Sequence, residues 1–281
     1  MRIDPPSRRV AAVGVVALAA VLALVGCSDA TDGPAEAATS SAGGVVEPEL
    51  TGDLTVFAAA SLQVVFDELA TTFMEQHPSV QVAPVTYDGS STLATQLVEG
   101  ASADVLATAD EKNMTTVVDA GLVEGTPTVF TTNTLQIVVP AGNPQRVRSL
   151  ADLATLASSG GTVVLCAPEV PCGSAAHQAL DAAGVTFTPA SEEQNVKAVL
   201  TKVRTGDADA GIVYRTDVLA AGDAVEGVDF PEASSAVNTY PIALLAEPTR
   251  THGSDVAQAF IDLVLSDEGR QVLADHGFVA P

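Results

Sequence analysis

The sequence predicts an α/β protein whose two lobes face each other across a cleft. Short apolar and β-branched runs alternate with segments of helical spacing from residue 54 to residue 278. Such alternation is typical of parallel sheets covered by helices on both faces. Two stretches, around 132–136 and 237–242, resemble crossovers between lobes. A single doubly wound domain is the alternative organisation.

The first 26 residues have the features of an export signal. Three arginines precede an apolar run over residues 10–25, which ends in small residues. A membrane anchor is the alternative, but the run is short for a bilayer span. The ending Leu-Val-Gly-Cys27 resembles a bacterial lipobox, which implies cleavage before Cys27 and a lipid on its thiol. Residues 27–49 are polar and lack periodicity, which predicts a flexible tether.

The chain has 281 residues and a formal net charge of −23. Removal of residues 1–26, which hold three Arg and one Asp, leaves −25. This charge argues against nucleic-acid binding, which needs basic patches, and against charge-driven attachment to anionic membranes. Any bound anion must therefore be held by local dipoles against the field of the whole chain.

The elements of the first half follow from apolar spacing and small turn residues. Residues 54–57 predict a strand, and Ala58–Ala60 keep the next turn small. Ser61 lies where a helix N-cap belongs, before apolar residues at helical spacing. The elements that follow are a strand at Val80–Val85, a helix from Leu93 to Gly100, a strand at Ala103–Ala107 and a helix at Met114–Ala120.

The second half continues the alternation after a longer strand at Thr134–Val139. Glycines and prolines separate the periodic segments and mark their ends. The predicted elements are helices at Leu150–Ala157, Gly173–Ala183, Asn195–Arg204, Ser254–Leu265 and Glu268–His276, and strands at Thr162–Leu165, Ala210–Tyr214, Val228–Phe230 and Ala243–Leu245.

Four predicted helix starts carry small or polar residues, at Ser61, Ser90–Thr92, Pro171–Ser174 and Glu192–Val196. The first N–H groups of a helix lack intrahelical partners and lie at its positive end. Several such starts aimed at one cleft would hold a dianion without Lys or Arg. Plain helix capping is the alternative for each serine. Tyr214 ends a strand, where open α/β sheets place ligands; a structural tyrosine is the alternative there.

Enzyme signatures are absent from the sequence. It contains no G-x-S-x-G elbow, phosphate-binding loop, H-E-x-x-H helix or dinucleotide fingerprint. A hydrolase that uses Ser61 or Ser90 stays open as an alternative, although no histidine lies near either serine in the sequence.

Cys166 and Cys172 are separated by five residues, Ala-Pro-Glu-Val-Pro. An even pair in an exported protein predicts a disulfide. Free thiols or a metal site are the alternatives, but the four histidines are scattered along the chain.

Four segments resemble the periplasmic molybdate-binding proteins of ABC transporters. They are VFAAASL at 56–62, SSTL at 90–93, ADVL at 103–106 and GIVY at 211–214, the last followed by Thr216 and Asp217. The resemblance extends from about Leu54 to Phe278. It implies a class II periplasmic solute-binding fold, with residues 50–134 and 239–281 in lobe 1 and 135–238 in lobe 2.

The resemblance also implies a ligand set of neutral donors around molybdate or tungstate in the interlobe cleft, without a cofactor or a direct metal ligand. Asp88 is a candidate additional contact, because a carboxylate there repels a dianion unless it is protonated, faces away or bonds a protonated oxyanion. The other candidates are the hydroxyls of Ser61, Ser90 and Tyr214 and the backbone N–H groups of Cys172 and Val196.

The expected function is that of a monomeric receptor, not an enzyme, which delivers its oxyanion to the permease and ATPase of an ABC transporter. The lipid on Cys27 would anchor it to the outer face of the cell membrane, and no nucleic acid is expected to bind. A receptor for sulfate or phosphate is the alternative, and an exported serine hydrolase is a remote one.

Overall fold

The structure is a computed structural model that describes residues 49–281. The export signal, the lipidation site Cys27 and residues 27–48 of the tether lie outside the described residues. No helix within residues 49–281 is long and apolar enough to cross a bilayer.

Twelve strands are present in the described part of the chain: β1 (Gly52–Leu54), β2 (Val56–Ala59), β3 (Val80–Val82), β4 (Thr86–Asp88), β5 (Val105–Ala107), β6 (Val123–Asn133), β7 (Leu135–Pro140), β8 (Val163–Cys166), β9 (Ser191–Glu193), β10 (Ala210–Tyr214), β11 (Val225–Val228) and β12 (Asn238–Leu245).

Nine α-helices accompany these strands within residues 49–281: α1 (Gln63–Gln76), α2 (Ser90–Val98), α3 (Glu111–Asp119), α4 (Leu150–Ser158), α5 (Pro171–Ala183), α6 (Val196–Thr205), α7 (Arg215–Ala221), α8 (Ser254–Leu265) and α9 (Asp267–Asp275). Short 3-10 turns lie at Ala60–Leu62, Gly222–Ala224 and Pro231–Ser235.

Two five-stranded sheets form the frames of two lobes. The sheet of lobe 1 has the order β4-β2-β5-β12-β6, and that of lobe 2 has the order β11-β7-β10-β8-β9. The lobe 2 sheet uses only strands between Leu135 and Val228, whereas the lobe 1 sheet takes strands from both sides of that segment. The exact boundaries of the lobes stay the prediction made from the sequence.

Both sheets are mixed: they contain the parallel pairs that the alternation predicts, together with antiparallel strands. In lobe 1, β2 runs parallel to β4 and β5, and in lobe 2, β8 runs parallel to β9 and β10. The antiparallel strands are β12 against β5 and β6, and β7 against β10 and β11. The chain passes between the lobes at β6, β7 and β12. These strands are not joined by the strand-helix-strand unit that makes neighbouring strands parallel.

Each lobe buries its own apolar core. The core of lobe 2 is drawn from residues between Leu135 and Ala236. Lobe 1 has two clusters, one on each face of its sheet. Val56 and Ala58 belong to the first cluster and Phe57 to the second, as the alternation of side chains along a strand requires.

One buried carboxylate ties the start of the lobe 1 sheet to the segment before α8. Asp104 accepts hydrogen bonds from the backbone N–H groups of Thr55 (2.7 Å), Thr251 (2.9 Å) and His252 (2.9 Å), and from His252 Nδ1 (2.8 Å). Burial by itself would raise the pKa of Asp104. The hydrogen bonds from the His252 ring and the three N–H groups outweigh burial and hold the pKa below its usual value.

We expect Asp104→Asn to lower the free energy of unfolding at neutral pH by about 1–3 kcal/mol, because an amide NH2 then faces backbone donors. The lowered folded pKa means that the unfolded state binds the proton more tightly. The stabilisation is therefore present above the unfolded pKa and is lost as pH falls through the folded pKa.

Urea unfolding at a series of pH values checks this expectation. The difference between wild type and Asp104→Asn should shrink below about pH 4, the ordinary carboxyl range. Asp119→Asn, at an exposed position of α3, is the control and should change little. A difference that is the same at every pH would contradict the role assigned to the Asp104 charge.

Candidate functional site

The parallel strands of both lobes end around one small cavity. Ser61 and Ser90 follow β2 and β4 in lobe 1, and in lobe 2 Tyr214 ends β10. The lining of this cavity includes every candidate contact named from the sequence. The lining residues are Ala59, Ala60, Ser61, Asp88, Gly89, Ser90, Ala109, Pro171, Cys172, Asn195, Val196 and Tyr214.

Ser61 differs from its predicted role as a helix N-cap. It lies within the 3-10 turn Ala60–Leu62, and α1 begins only at Gln63, without a side-chain cap. Its buried hydroxyl lies 3.0 Å from the phenol oxygen of Tyr240. The N-cap prediction is wrong because a buried polar network holds the serine hydroxyl instead.

The side-chain amide of Asn133 helps to set the direction of the hydrogen bonds in this network. The N–H of Thr134 donates to Asn133 Oδ1 (3.0 Å), which leaves Asn133 Nδ2 to donate to Tyr240 Oη (3.4 Å) and Thr216 Oγ1 (2.8 Å). Since the amide nitrogen only donates, Tyr240 Oη accepts from Asn133 and has its own proton free to donate to Ser61 Oγ. The hydroxyl proton of Ser61 is then available to the cavity.

A backbone N–H group orients the Ser90 hydroxyl in the same way, with its proton free for the cavity. It is the first residue of α2 and is buried, and its Oγ accepts the N–H of Ala109 at 2.9 Å. The serine hydroxyl therefore has a proton left to donate into the cavity. The N–H of Ser90 has no partner within the helix, as at any helix start.

Tyr214 presents a buried phenol without a partner. Its Oη makes no hydrogen bond within residues 49–281. Burial raises the pKa of the Tyr214 phenol well above its ordinary value, with smaller contributions from Tyr240, Asp110 and Asp217, so the group stays protonated. An unsatisfied buried donor is costly to a folded protein. The lining of the cavity thus holds a donor that residues 49–281 do not satisfy.

Lobe 2 adds two helix starts to the lining. Cys172 lies in the first turn of α5, and Val196 is the first residue of α6. Cys172 forms a disulfide with Cys166 at the end of β8. A Cβ at Gly173 would lie 1.9 Å from the carbonyl oxygen of Ala167, so glycine lets the loop between the two cysteines fold against the helix.

Asp88 is the charged residue of the lining. Its Oδ1 accepts the N–H of Gly89 at 2.8 Å and Asn195 Nδ2 at 2.9 Å. None of the described residues that line the cavity is Lys, Arg or His. Lys197, adjacent to Val196, is paired with the buried carboxylate of Asp217 at 2.9 Å. Favourable interactions of the lining with an anion must therefore come from helix starts and neutral hydroxyls.

Four contributors to this site were missed in the sequence. Tyr240 and Asn133 come from β12 and β6, and no local pattern links them to Ser61. Ala109 acts through its backbone alone, which leaves no sequence signal. Asn195 did have a sequence signal, because an Asn before a helical run is a favoured N-cap. In the structure it accepts the N–H of Ala198 at 3.0 Å.

A family model described as bacterial extracellular solute-binding protein matches residues 54–279 of the chain. The chain belongs to this solute-binding family. Its sequence is 44% identical over 268 residues to the molybdate-binding protein ModA of Mycobacterium tuberculosis (strain ATCC 25618 / H37Rv), covering 95% of this chain and 97% of that protein. The resemblance stated from the sequence is thereby confirmed.

Solved structures share the fold of this solute-binding protein. The periplasmic molybdate-binding protein of Azotobacter vinelandii matches with a TM-score of 0.66 at 20% identity, over 81% of this chain and 99% of that chain. The sulfate-binding protein SubI of Mycobacterium tuberculosis H37Rv matches with a TM-score of 0.68 at 21% identity, over 80% of this chain and 86% of that chain. These similarities confirm the two-lobed α/β solute-binding fold.

The two lobes of the solute-binding protein touch at the rim of the cavity. A Cβ at Gly89 would lie 2.1 Å from the carbonyl oxygen of Gln194 and 2.7 Å from Val170 Cγ1. Gly89 has a φ of −61°, which any L-residue adopts. Glycine is therefore required there by the approach of the opposite lobe and not by the backbone.

We expect Gly89→Ala to hold the lobes apart, because the added methyl group occupies the space of the Gln194 carbonyl. Small-angle X-ray scattering should give a larger radius of gyration than for wild type. Gly253→Ala is a matched control: Gly253 also precedes a helix, with a φ of −61°, and a Cβ there meets nothing within 4 Å. Equal radii for the two variants would disprove the steric argument.

Proposed function

We propose that this solute-binding protein captures molybdate and tungstate outside the cytoplasm and delivers them to an ABC transporter. One observation carries the proposal: neutral donors from both lobes converge on one cavity whose described lining holds no cationic side chain. Helix starts and hydroxyls of this kind suit a doubly charged oxyanion. The 44% identical relative, named as a molybdate-binding protein, supports the choice of anion.

Hydrogen-bond direction supports a fully deprotonated ligand. Ser90 accepts from the N–H of Ala109, and Ser61 is hydrogen-bonded to Tyr240, whose proton is free to donate to it. With Tyr240 as the donor, both serine protons are left for the ligand. Tyr214 adds a phenol proton. A cavity of donors suits an anion that carries no proton, as molybdate, tungstate and sulfate do at neutral pH. Monohydrogen phosphate carries a proton and needs an acceptor to bind well, and the carboxylate in the lining, Asp88, already shares its Oδ1 between Gly89 and Asn195.

Sulfate is the second candidate ligand, because the sulfate-binding protein SubI has the same fold. Sulfate also carries no proton, so donor direction does not separate it from molybdate. Size separates the two anions, because metal–oxygen bonds are longer than sulfur–oxygen bonds. Donors held in fixed positions by buried networks favour the anion whose oxygens reach all of them.

We propose binding without catalysis at this site. A serine nucleophile needs a general base within hydrogen-bond reach. The partners of Ser61 and Ser90 are a phenol and a backbone N–H, and neither is a base. The four histidines all lie within residues 49–281, and none lines the cavity.

We also propose that Cys27 carries a lipid that anchors the mature chain to the outer face of the membrane, where it acts as a monomer beside its permease and ATPase. The support is the Leu-Val-Gly-Cys27 ending after an export signal. Wild type should sediment with membranes, and Cys27→Ser should appear in the soluble extracellular fraction. Membrane retention of Cys27→Ser would refute the lipid anchor.

Isothermal titration of the ligand-free protein tests the proposed function. We expect tight binding of molybdate and tungstate, markedly weaker binding of sulfate, and no measurable binding of phosphate. Sulfate affinity equal to that of molybdate would reject the selectivity, and the absence of binding for both would reject the function.

Tyr214→Phe should weaken molybdate binding by about 1–3 kcal/mol, because it removes a neutral donor to a charged oxygen and little else. Tyr87→Phe is the matched control: its hydroxyl donates to Asp67 Oδ1 at 2.8 Å, away from the lining of the cavity. If both variants bind molybdate like wild type, Tyr214 is not a ligand.

A further inference from the structure

We propose that Asp88 is a positioning residue, which holds the start of α6 against the start of α2 so that the Val196 N–H stays at the cavity. This inference rests on the proposed function, because it assigns to Asp88 a task in oxyanion binding. Asp88 performs this task by holding groups of the protein in place and not by binding the ligand.

The contact joins the two lobes directly. Asp88 ends β4 in lobe 1, and Asn195 precedes α6 in lobe 2, 107 positions along the chain. The Asp88 Oδ1 atom accepts from Asn195 Nδ2 at 2.9 Å. Both groups are partly buried, so the bond is shielded from competition by bulk water.

Asn195 uses both ends of its amide. Its Oδ1 accepts the N–H of Ala198 and caps α6, which fixes the amide with Nδ2 toward Asp88. Val196, the next residue, is the first residue of the helix and lines the cavity. The position of the helix start is thus set from the opposite lobe.

The charge of Asp88 suits this place. Gly89 and Gln194 bring the starts of α2 and α6 together, and like partial charges at two helix starts repel. A carboxylate between them offsets this repulsion. Its Oδ1 is shared by two N–H donors, from Gly89 and Asn195, which compensates part of the charge it presents to an anion.

A pair of variants tests the inference through the rate of molybdate dissociation, followed in stopped flow by the change in tyrosine fluorescence. Asn195→Asp keeps an N-cap of equal quality but places two carboxylates face to face. We expect dissociation to be roughly tenfold faster. The double variant Asp88→Asn/Asn195→Asp has the net charge of wild type and a single carboxylate at the contact, so it should release molybdate several-fold more slowly than Asn195→Asp.

Ser149→Asp is the control for added charge on lobe 2, because Ser149 is the N-cap of α4 and does not line the cavity. Its dissociation rate should match wild type. Thermal unfolding of each variant checks that the fold is kept. A wild-type rate for Asn195→Asp, or a double variant no slower than Asn195→Asp, would overturn the inference.

The two levels of proposal fail differently. If wild type binds neither molybdate nor tungstate, the proposed function is rejected. Small-angle scattering of the same proteins without ligand then decides the role of Asp88 in lobe apposition. An expanded Asn195→Asp and a compact double variant support that role, and equal radii for the two overturn it.

Discussion

The direction of hydrogen bonds is the constraint on which the cavity depends. A hydroxyl can either donate or accept, and in solution it does both. Here Asn133 donates to Tyr240 and so leaves the Tyr240 proton free for Ser61 Oγ, and the N–H of Ala109 supplies the bond that Ser90 accepts. Each serine is left with one proton for the cavity. Without these partners the same hydroxyls would accept as readily as donate.

This arrangement reconciles an anion site with an acidic chain. The net charge of −23 would repel a dianion at long range, but screening by salt limits that effect to about a Debye length, roughly 8–10 Å. Within the cavity the near dipoles of helix starts and hydroxyls dominate, because they act across a few ångströms in a medium of low dielectric constant. Lys197 adds no free cation, since it is paired with Asp217.

The sequence was sufficient for the residues that sit in local patterns. Ser90, Val196 and Tyr214 each lie at the end of a strand or the start of a helix, and such positions can be recognised from spacing and turn residues. The long strand β6 was missed because most of its first half is exposed and includes Gly125 and a proline. Its value to the fold comes from pairing with β12, more than 100 residues away, and pairing over such a distance leaves no local pattern.

The same reason explains the error at Ser61 and the alternatives that stayed open at Asp88. A serine before a helical run is a sound N-cap prediction, but Tyr240 competes for its hydroxyl once the chain is folded. The carboxylate of Asp88 looked repulsive because its partner Asn195 is supplied by the other lobe. Local rules fail where two distant segments share one polar group, and here those places are the cavity and its rim.

The strand order of lobe 1 has a consequence for the growing polypeptide. Among the described strands, β6 is bonded to its sheet only through β12, which lies between β5 and β6. A nascent chain that ends before residue 238 thus has every strand of lobe 2 but leaves β6 of lobe 1 without a neighbour. The lobe that starts first on the ribosome is the one whose sheet is completed last.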